Sequence, residues 1–165
     1  IQEFQKRNIP VAVYAYVAAK DKKEMEKEAE EFYKAASPYK PTYYWLDVEE
    51  KTMKDMNAGV EAFRAKLQAL GAKNIGIYIG TYFMEEHSIS TDKFTALWIP
   101  TYGFDDGYYN AAPDTNTEYD LHQYTSQGQL NGFSHYLDLN QIAPTQDQET
   151  IYRKLFKVQK DGSSS

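Results

Sequence analysis

At 165 residues, 42% of them hydrophobic and 15% aromatic, the chain carries enough apolar side chain for one compact core and is not a disordered polymer. A formal net charge of −6 argues against binding nucleic acid through a basic surface. The absence of cysteine excludes disulfides, zinc–thiolate sites and a cysteine nucleophile, leaving carboxylates, histidine, hydroxyls or a bound ion for any catalysis.

In chain order, Ile1-Gln2-Glu3-Phe4 reads as the middle of a helix that ends near Gln5-Lys6-Arg7-Asn8. Residues 9–17 (IPVAVYAYV), β-branched and aromatic, predict a buried strand. Over residues 22–36, Met25, Ala29, Phe32 and Ala36 recur at helical spacing, Lys and Glu fill the solvated faces, and Pro38 stops the run. A strand over 43–49 follows, then a helix whose stripe Val60, Phe63, Leu67 and Leu70 closes at Gly71, a good C-terminal cap. Residues 74–80 (NIGIYIG) give a third strand, and this βαβαβ order predicts parallel strands with right-handed crossovers.

After Thr91 the rhythm changes. Residues 95–101, 119–125 and 136–142 read as strands, separated by Gly-, Asn-, Asp- and Pro-rich segments without a helical stripe. The expected fold is therefore α/β: a modified TIM-like β/α barrel with fewer helices than strands, an open α/β sheet being the competing arrangement. Such barrels need at least ~200 residues and eight strands to close, so the first one or two strands are expected to be absent from this chain. No apolar run approaches the roughly 18–20 residues that cross a bilayer.

Side chains two apart on a strand share a face, so Asp47 and Glu49 point one way while Tyr44, Leu46 and Val48 point the other. The apolar set then faces the helices, and the carboxylates face the barrel axis at the strand's C-terminal end, where such barrels hold their active sites. Two like charges this close cannot both ionise freely. One pKa rises, leaving an acid able to protonate a leaving group near neutral pH, as glycoside hydrolysis requires. An Asp-x-Glu in an acidic protein is also commonly a solvated strand end or a cation site. The apolar, aromatic strand leading into the pair tips the balance toward function, because unpaired carboxylates are seldom buried without a purpose.

Three further segments accompany strand 43–49: IGIYIG at 75–80, LWIPTY at 97–102, and DLHQYTSQG at 120–128 with LDLN at 137–140. Together and in this order they resemble glycoside hydrolase family 25, the lysozymes of phage endolysins and Gram-positive autolysins. The resemblance implies cleavage of the β-1,4 bond between N-acetylmuramic acid and N-acetylglucosamine in an eight-stranded barrel with fewer helices than usual. It puts Glu49 in the place of the general acid, Asp47 in that of its partner carboxylate, and Asp138 in that of a further acid of the cleft. Retention of configuration is implied, by a route in which the substrate's own acetamido group can attack the anomeric carbon. No metal or cofactor is implied. The expected partner is the peptidoglycan glycan strand, with neither nucleic acid nor membrane. The expected setting is extracellular, at the cell wall, for a monomeric catalytic domain over residues 1–158 that could precede a wall-binding module. Residues 159–165 have linker composition and read as a linker or appended tail.

Two departures from the family pattern stand out: no counterpart of its first, Asp-bearing strand precedes Ile1, and His122 stands where many relatives carry Trp, which implies a changed sugar contact. Among the aromatics, Tyr14, Tyr16, Tyr78, Trp98, Tyr102 and Tyr124 lie on or beside strands and are candidates for packing or for sugar stacking, with Gln123 as a polar contact. Tyr108 and Tyr109 read as rim residues. His87, His122 and His135 share no metal-ligand spacing, and neither a Gly-x-Ser-x-Gly elbow nor a Walker-type phosphate loop is present. Two alternatives stay open: a noncatalytic glycan- or wall-binding domain derived from the same barrel, and a glycosidase of another β-linked amino sugar polymer.

Overall fold

A computed structural model describes residues 1–156, so the predicted tail over 159–165 and the boundary at 158 lie outside the described residues. The described elements run α1 (Gln2–Lys6), β1 (Val13–Tyr16), α2 (Lys22–Ala36), a 3-10 turn (Ser37–Tyr39), β2 (Tyr44–Val48), α3 (Met56–Leu70), β3 (Ile75–Ile79), α4 (Thr81–Glu86), β4 (Ala96–Pro100), β5 (Leu121–Gly128), β6 (Leu137–Ile142) and α5 (Gln148–Phe156). The strands form one six-stranded sheet in chain order, β1 to β5 parallel and β6 antiparallel to β5. The sheet curls into a half-barrel with fewer α-helices than strands among the described residues, as expected. None of the described helices is long and apolar enough to cross a membrane.

The outer layer follows from helix chemistry. Asp21, in extended conformation, caps α2 by accepting from the Glu24 amide at 2.9 Å, and Asp55 caps α3 by accepting from Ala58 at 3.0 Å. Gly71 ends α3 at φ +117°, a left-handed position where a side chain would also press on the Tyr33 hydroxyl. Met25 and Ala29 of α2 and Val60, Phe63 and Leu67 of α3 bury against Tyr44, Leu46, Val48, Ile75, Ile77 and Ile79. Each large side chain buried in full here contributes on the order of 1.5–3 kcal/mol.

The concave layer is different. Tyr43, Trp45, Ala96 and Leu121, all at the starting ends of their strands, pack with Ile151 and Leu155 of α5. Helix α5 thus plugs the end opposite the carboxylates. Gly76 makes room for this layer: a Cβ there would sit 2.3 Å from the Trp45 ring.

Two local expectations are corrected. The first strand begins at Val13 rather than Ile9, because Pro10 has no amide to give the ladder and the first ladder bond is Val13 N–H to Tyr43 O. The stretch after Ile142, expected to lack helix, forms α5, in which only Ile151 and Leu155 are buried.

Candidate active site

Asp47 is the fourth residue of β2 and Glu49 lies just past its end. The parallel register sets Tyr16 of β1 and Tyr78 of β3 on either side of Asp47. Tyr44, Leu46 and Val48 lie in the outer core and Trp45 in the concave cluster, so the carboxylates face the hollow of the half-barrel. Asp47 is half-buried, while Glu49 is exposed beyond it.

Burial pushes the Asp47 carboxyl up to about 7, helped by its hydrogen bond to Glu49 and by that neighbour's charge. Asp47 is therefore the member of the pair that keeps a proton toward neutral pH. The other oxygen, Asp47 Oδ1, is buried and has no partner. Such a pair can give a proton at near-neutral pH and afterwards take one back.

Tyr78 and Tyr102 form the adjoining wall. Both hydroxyls donate to one acceptor, Gln123 Oε1, at 2.5 and 2.8 Å. Burial raises both phenols; the hydrogen bond between them raises Tyr78 further and pulls Tyr102 down, and the nearby acids add smaller upward shifts, Glu49 and Asp47 on Tyr78, Asp138, Asp105 and Glu49 on Tyr102. Asp138, near the start of β6, is exposed, and Leu137 beside it pairs with Gly128 at the far end of β5. Its alternation partner Asn140 accepts from Trp98 Nε1 at 2.9 Å, which puts Asp138 on the concave side, at the carboxylate end. Tyr16 sits beside the pair with its hydroxyl bonded to Glu50; partial burial first, then Glu50, Glu49 and Asp47, raise its pKa.

The hollow therefore brings together Asp47, Glu49, Asp138, Tyr16, Tyr78, Tyr102 and Gln123. Trp98 stands behind them, edge-on to Tyr78 and Trp45 with ring centroids 4.9 and 5.4 Å away. Tyr14, 70% exposed, lies a layer lower, in register with Trp45, lining an apolar groove of about 380 Å³ with Trp45, Trp98 and Leu121. Tyr124 is not brought to the carboxylates: its ring joins Tyr109 and His122 on the other face of β5. His122 is fully buried, its Nε2 2.6 Å from Thr101 O, so it offers no surface to a sugar, contrary to the change of contact expected at this position.

Asp105 went unassigned in the sequence. It accepts from Thr125 Oγ1, Ser126 N and Ser126 Oγ at 2.6–2.7 Å, and so straps the loop that carries Tyr102 onto β5. The Asp-Asp-Gly turn at 105–107 was the signal available in the sequence, and in the structure Asp105 takes φ +47° there. Among the described residues no group of three or more His, Asp or Glu is arranged to hold a metal ion.

A curled parallel sheet with paired carboxylates at the C-terminal strand ends belongs to the class of barrel glycosidases. Residues 1–133 match the glycosyl hydrolases family 25, and the chain belongs to that family; it is a glycoside hydrolase. Among solved structures it is similar to GHIP, a glycosyl hydrolase 25 of Streptococcus pneumoniae described as a virulence factor participating in host cell invasion. The two are 65% identical over 94% of this chain and 68% of that one, with a TM-score of 0.92. It is also similar to the catalytic domain of endolysin ply40 from bacteriophage P40 of Listeria monocytogenes, at 25% identity over 93% of this chain and 75% of that one (TM-score 0.79). The modular autolysin LytC of Streptococcus pneumoniae shares the fold at 18% identity over 85% of this chain and 35% of that one (TM-score 0.65). Comparison with curated protein sequences gave no match.

Proposed function

We propose that the protein is a lysozyme, a 1,4-β-N-acetylmuramidase that hydrolyses the bond between N-acetylmuramic acid and N-acetylglucosamine in peptidoglycan. The observation that carries this is the Asp47–Glu49 pair, two carboxyls on the concave face at the end of β2, of which Asp47 is raised by burial. Membership of family 25 and similarity to a phage endolysin catalytic domain support it.

Glu49, the exposed member, protonates the glycosidic oxygen as the bond to the anomeric carbon breaks. Asp47 shares its proton with Glu49 and, once ionised, stabilises the positive charge developing on the sugar and its acetamido group. That group attacks the anomeric carbon from the opposite face; water then opens the ring so formed, and Glu49 takes the proton back. Asp138 faces the same hollow from β6 and adds negative potential there. Tyr16, Tyr78 and Tyr102 offer flat faces to pyranose rings, with Trp98 behind them and Tyr14 a layer lower. Peptidoglycan glycan strands are the partner, met at the cell wall by a monomeric catalytic domain.

Glu49→Gln should lower release of muramic-acid reducing ends from Gram-positive walls by at least ~1000-fold, since it removes the transferable proton and leaves the shape. Retention of most of the wild-type rate would remove Glu49 from its role.

A further inference from the structure

Among the polar groups at the site, Gln123 is the least accounted for. It is 3% exposed, on the concave side of β5, and its carbonyl oxygen receives hydroxyl protons from two phenols at once. Phenols beside carboxylates ordinarily donate to them, because a hydrogen bond to an ionised acceptor is roughly twice as strong as one to a neutral amide. Asp47 is the register neighbour of Tyr78 on β2, and Asp47 Oδ1 is buried and unpartnered. The Tyr78 proton nevertheless goes to Gln123. Leaving a buried carboxyl oxygen bare costs folding free energy, and such arrangements persist at functional sites where the surroundings over-determine them.

We propose that Gln123 is a positioning residue of the site: by accepting the hydroxyl protons of both Tyr78 and Tyr102 on one carbonyl oxygen, it keeps them off the Asp47–Glu49 pair and lets the pair hold its own proton. The groups facing Asp47 are Tyr16 from β1, Glu49 beyond β2, Tyr78 from β3 and, one step further out, Tyr102 after β4 and Asp138 from β6. Of these only the phenols can donate, and a donor to a carboxylate favours its charged form. With the Tyr78 and Tyr102 protons on Gln123 and the Tyr16 hydroxyl on Glu50, the carboxyl pair faces no phenol that would ionise it prematurely. Gln123 acts through Tyr78 and needs no contact with substrate. The proposal rests on the pair being the proton store of the proposed muramidase.

The test is a 13C NMR titration of labelled aspartate side chains in the whole chain, without substrate. In the wild type one Asp carboxyl should titrate near 7. In Gln123→Met, which keeps the shape and removes the acceptor, that midpoint should fall by about one pH unit as Tyr78 turns its proton onto Asp47. It should return in the Gln123→Met/Tyr78→Phe double variant, which has no proton to turn. Gln123→Glu keeps an acceptor for both phenols and adds a like charge, so its midpoint should stay or rise. An unmoved midpoint in folded Gln123→Met overturns the proposal, as does a fall in Gln123→Glu or a midpoint equally low in the double variant. If Gln123→Met does not fold, the Gln123→Glu arm still decides. A wild type that titrates as described but releases no reducing ends from walls would sink the muramidase assignment and leave the role of Gln123 standing.

Discussion

The two halves of the half-barrel are held together by different physics. From β1 to β3, helices α2 and α3 cover one face of the sheet, and the cohesion is apolar: Met25, Leu46, Phe63, Leu67, Ile77 and Ile79 are essentially without solvent contact. From β4 to β6 side chains joined by hydrogen bonds take over. Asp120 ties the Leu97 amide at 2.9 Å to Lys154 of α5 at 2.7 Å, His122 reaches Thr101 O, Asp105 gathers Thr125 and Ser126, and Gln123 gathers two tyrosines. A layer built from oily stripes tolerates shape-preserving change, whereas a layer built from buried polar contacts fails when one partner is lost. The part of the candidate site built from Tyr102, Gln123 and Asp138 is drawn from the second kind, while Asp47 and Tyr78 stand on strands of the first.

The largest effect is expected in the apolar half. Phe63→Ala leaves a cavity under α3 and should lower the unfolding free energy by about 3–5 kcal/mol in urea or thermal melts, while Phe63→Leu should cost much less. Next comes the polar half. Asp120, 5% exposed, satisfies the Leu97 amide and pairs with Lys154, so Asp120→Ala strands a donor and should cost about 2–3 kcal/mol. Asp120→Asn keeps an acceptor for Leu97 and should cost less than half as much. The contrast breaks down if the two Asp120 variants melt alike, for then volume rather than hydrogen bonding would govern both halves.

The same division explains what could be read from residue order. Helix α2 and the end of α3 follow from apolar spacing with Pro38 and Gly71 as stops, because amphipathic periods and helix stops are local properties. Asp47 and Glu49 were legible as a pair because alternation along a strand puts them on one face, and the family resemblance added Asp138. Helix α5 was not, since QETIYRKLF is a single short segment whose apolar residues Ile151, Tyr152, Leu155 and Phe156 are too few to mark a helix before the sheet they pack on is known. Tyr124 was placed with the substrate contacts, yet alternation against Gln123 turns it to the opposite face with His122. The joint acceptor role of Gln123 links residues 45 and 21 positions apart, and the Asp105 strap links residues 20 and 21 apart. No periodicity encodes such pairings; they exist only once the sheet has curled.

The smallest expected effect lies where the two halves meet. Asp47 sits on an apolar strand beside the polar wall, and burial together with its neighbour Glu49 governs its protonation. Its carboxyl is raised from 3.8 to about 7 in the folded chain, so between those values the folded state holds a proton that the unfolded chain has released. Stability therefore falls as pH rises through that window, and above it the whole penalty of ionising a half-buried carboxyl is present. Asp47→Asn cannot ionise, and its amide can donate to Glu49 where the shared proton stood. The variant should match the wild type below about pH 4 and melt higher at pH 8. The gain should be roughly 2–4 °C, the size of a contribution near 1 kcal/mol once solvent screening of a partly exposed group is allowed for. Melting curves of the two proteins at pH 4, 6 and 8 read the sign directly. A gap that opens toward acid instead would mean that the pair favours its charged form, and that the proton store at the end of β2 does not exist.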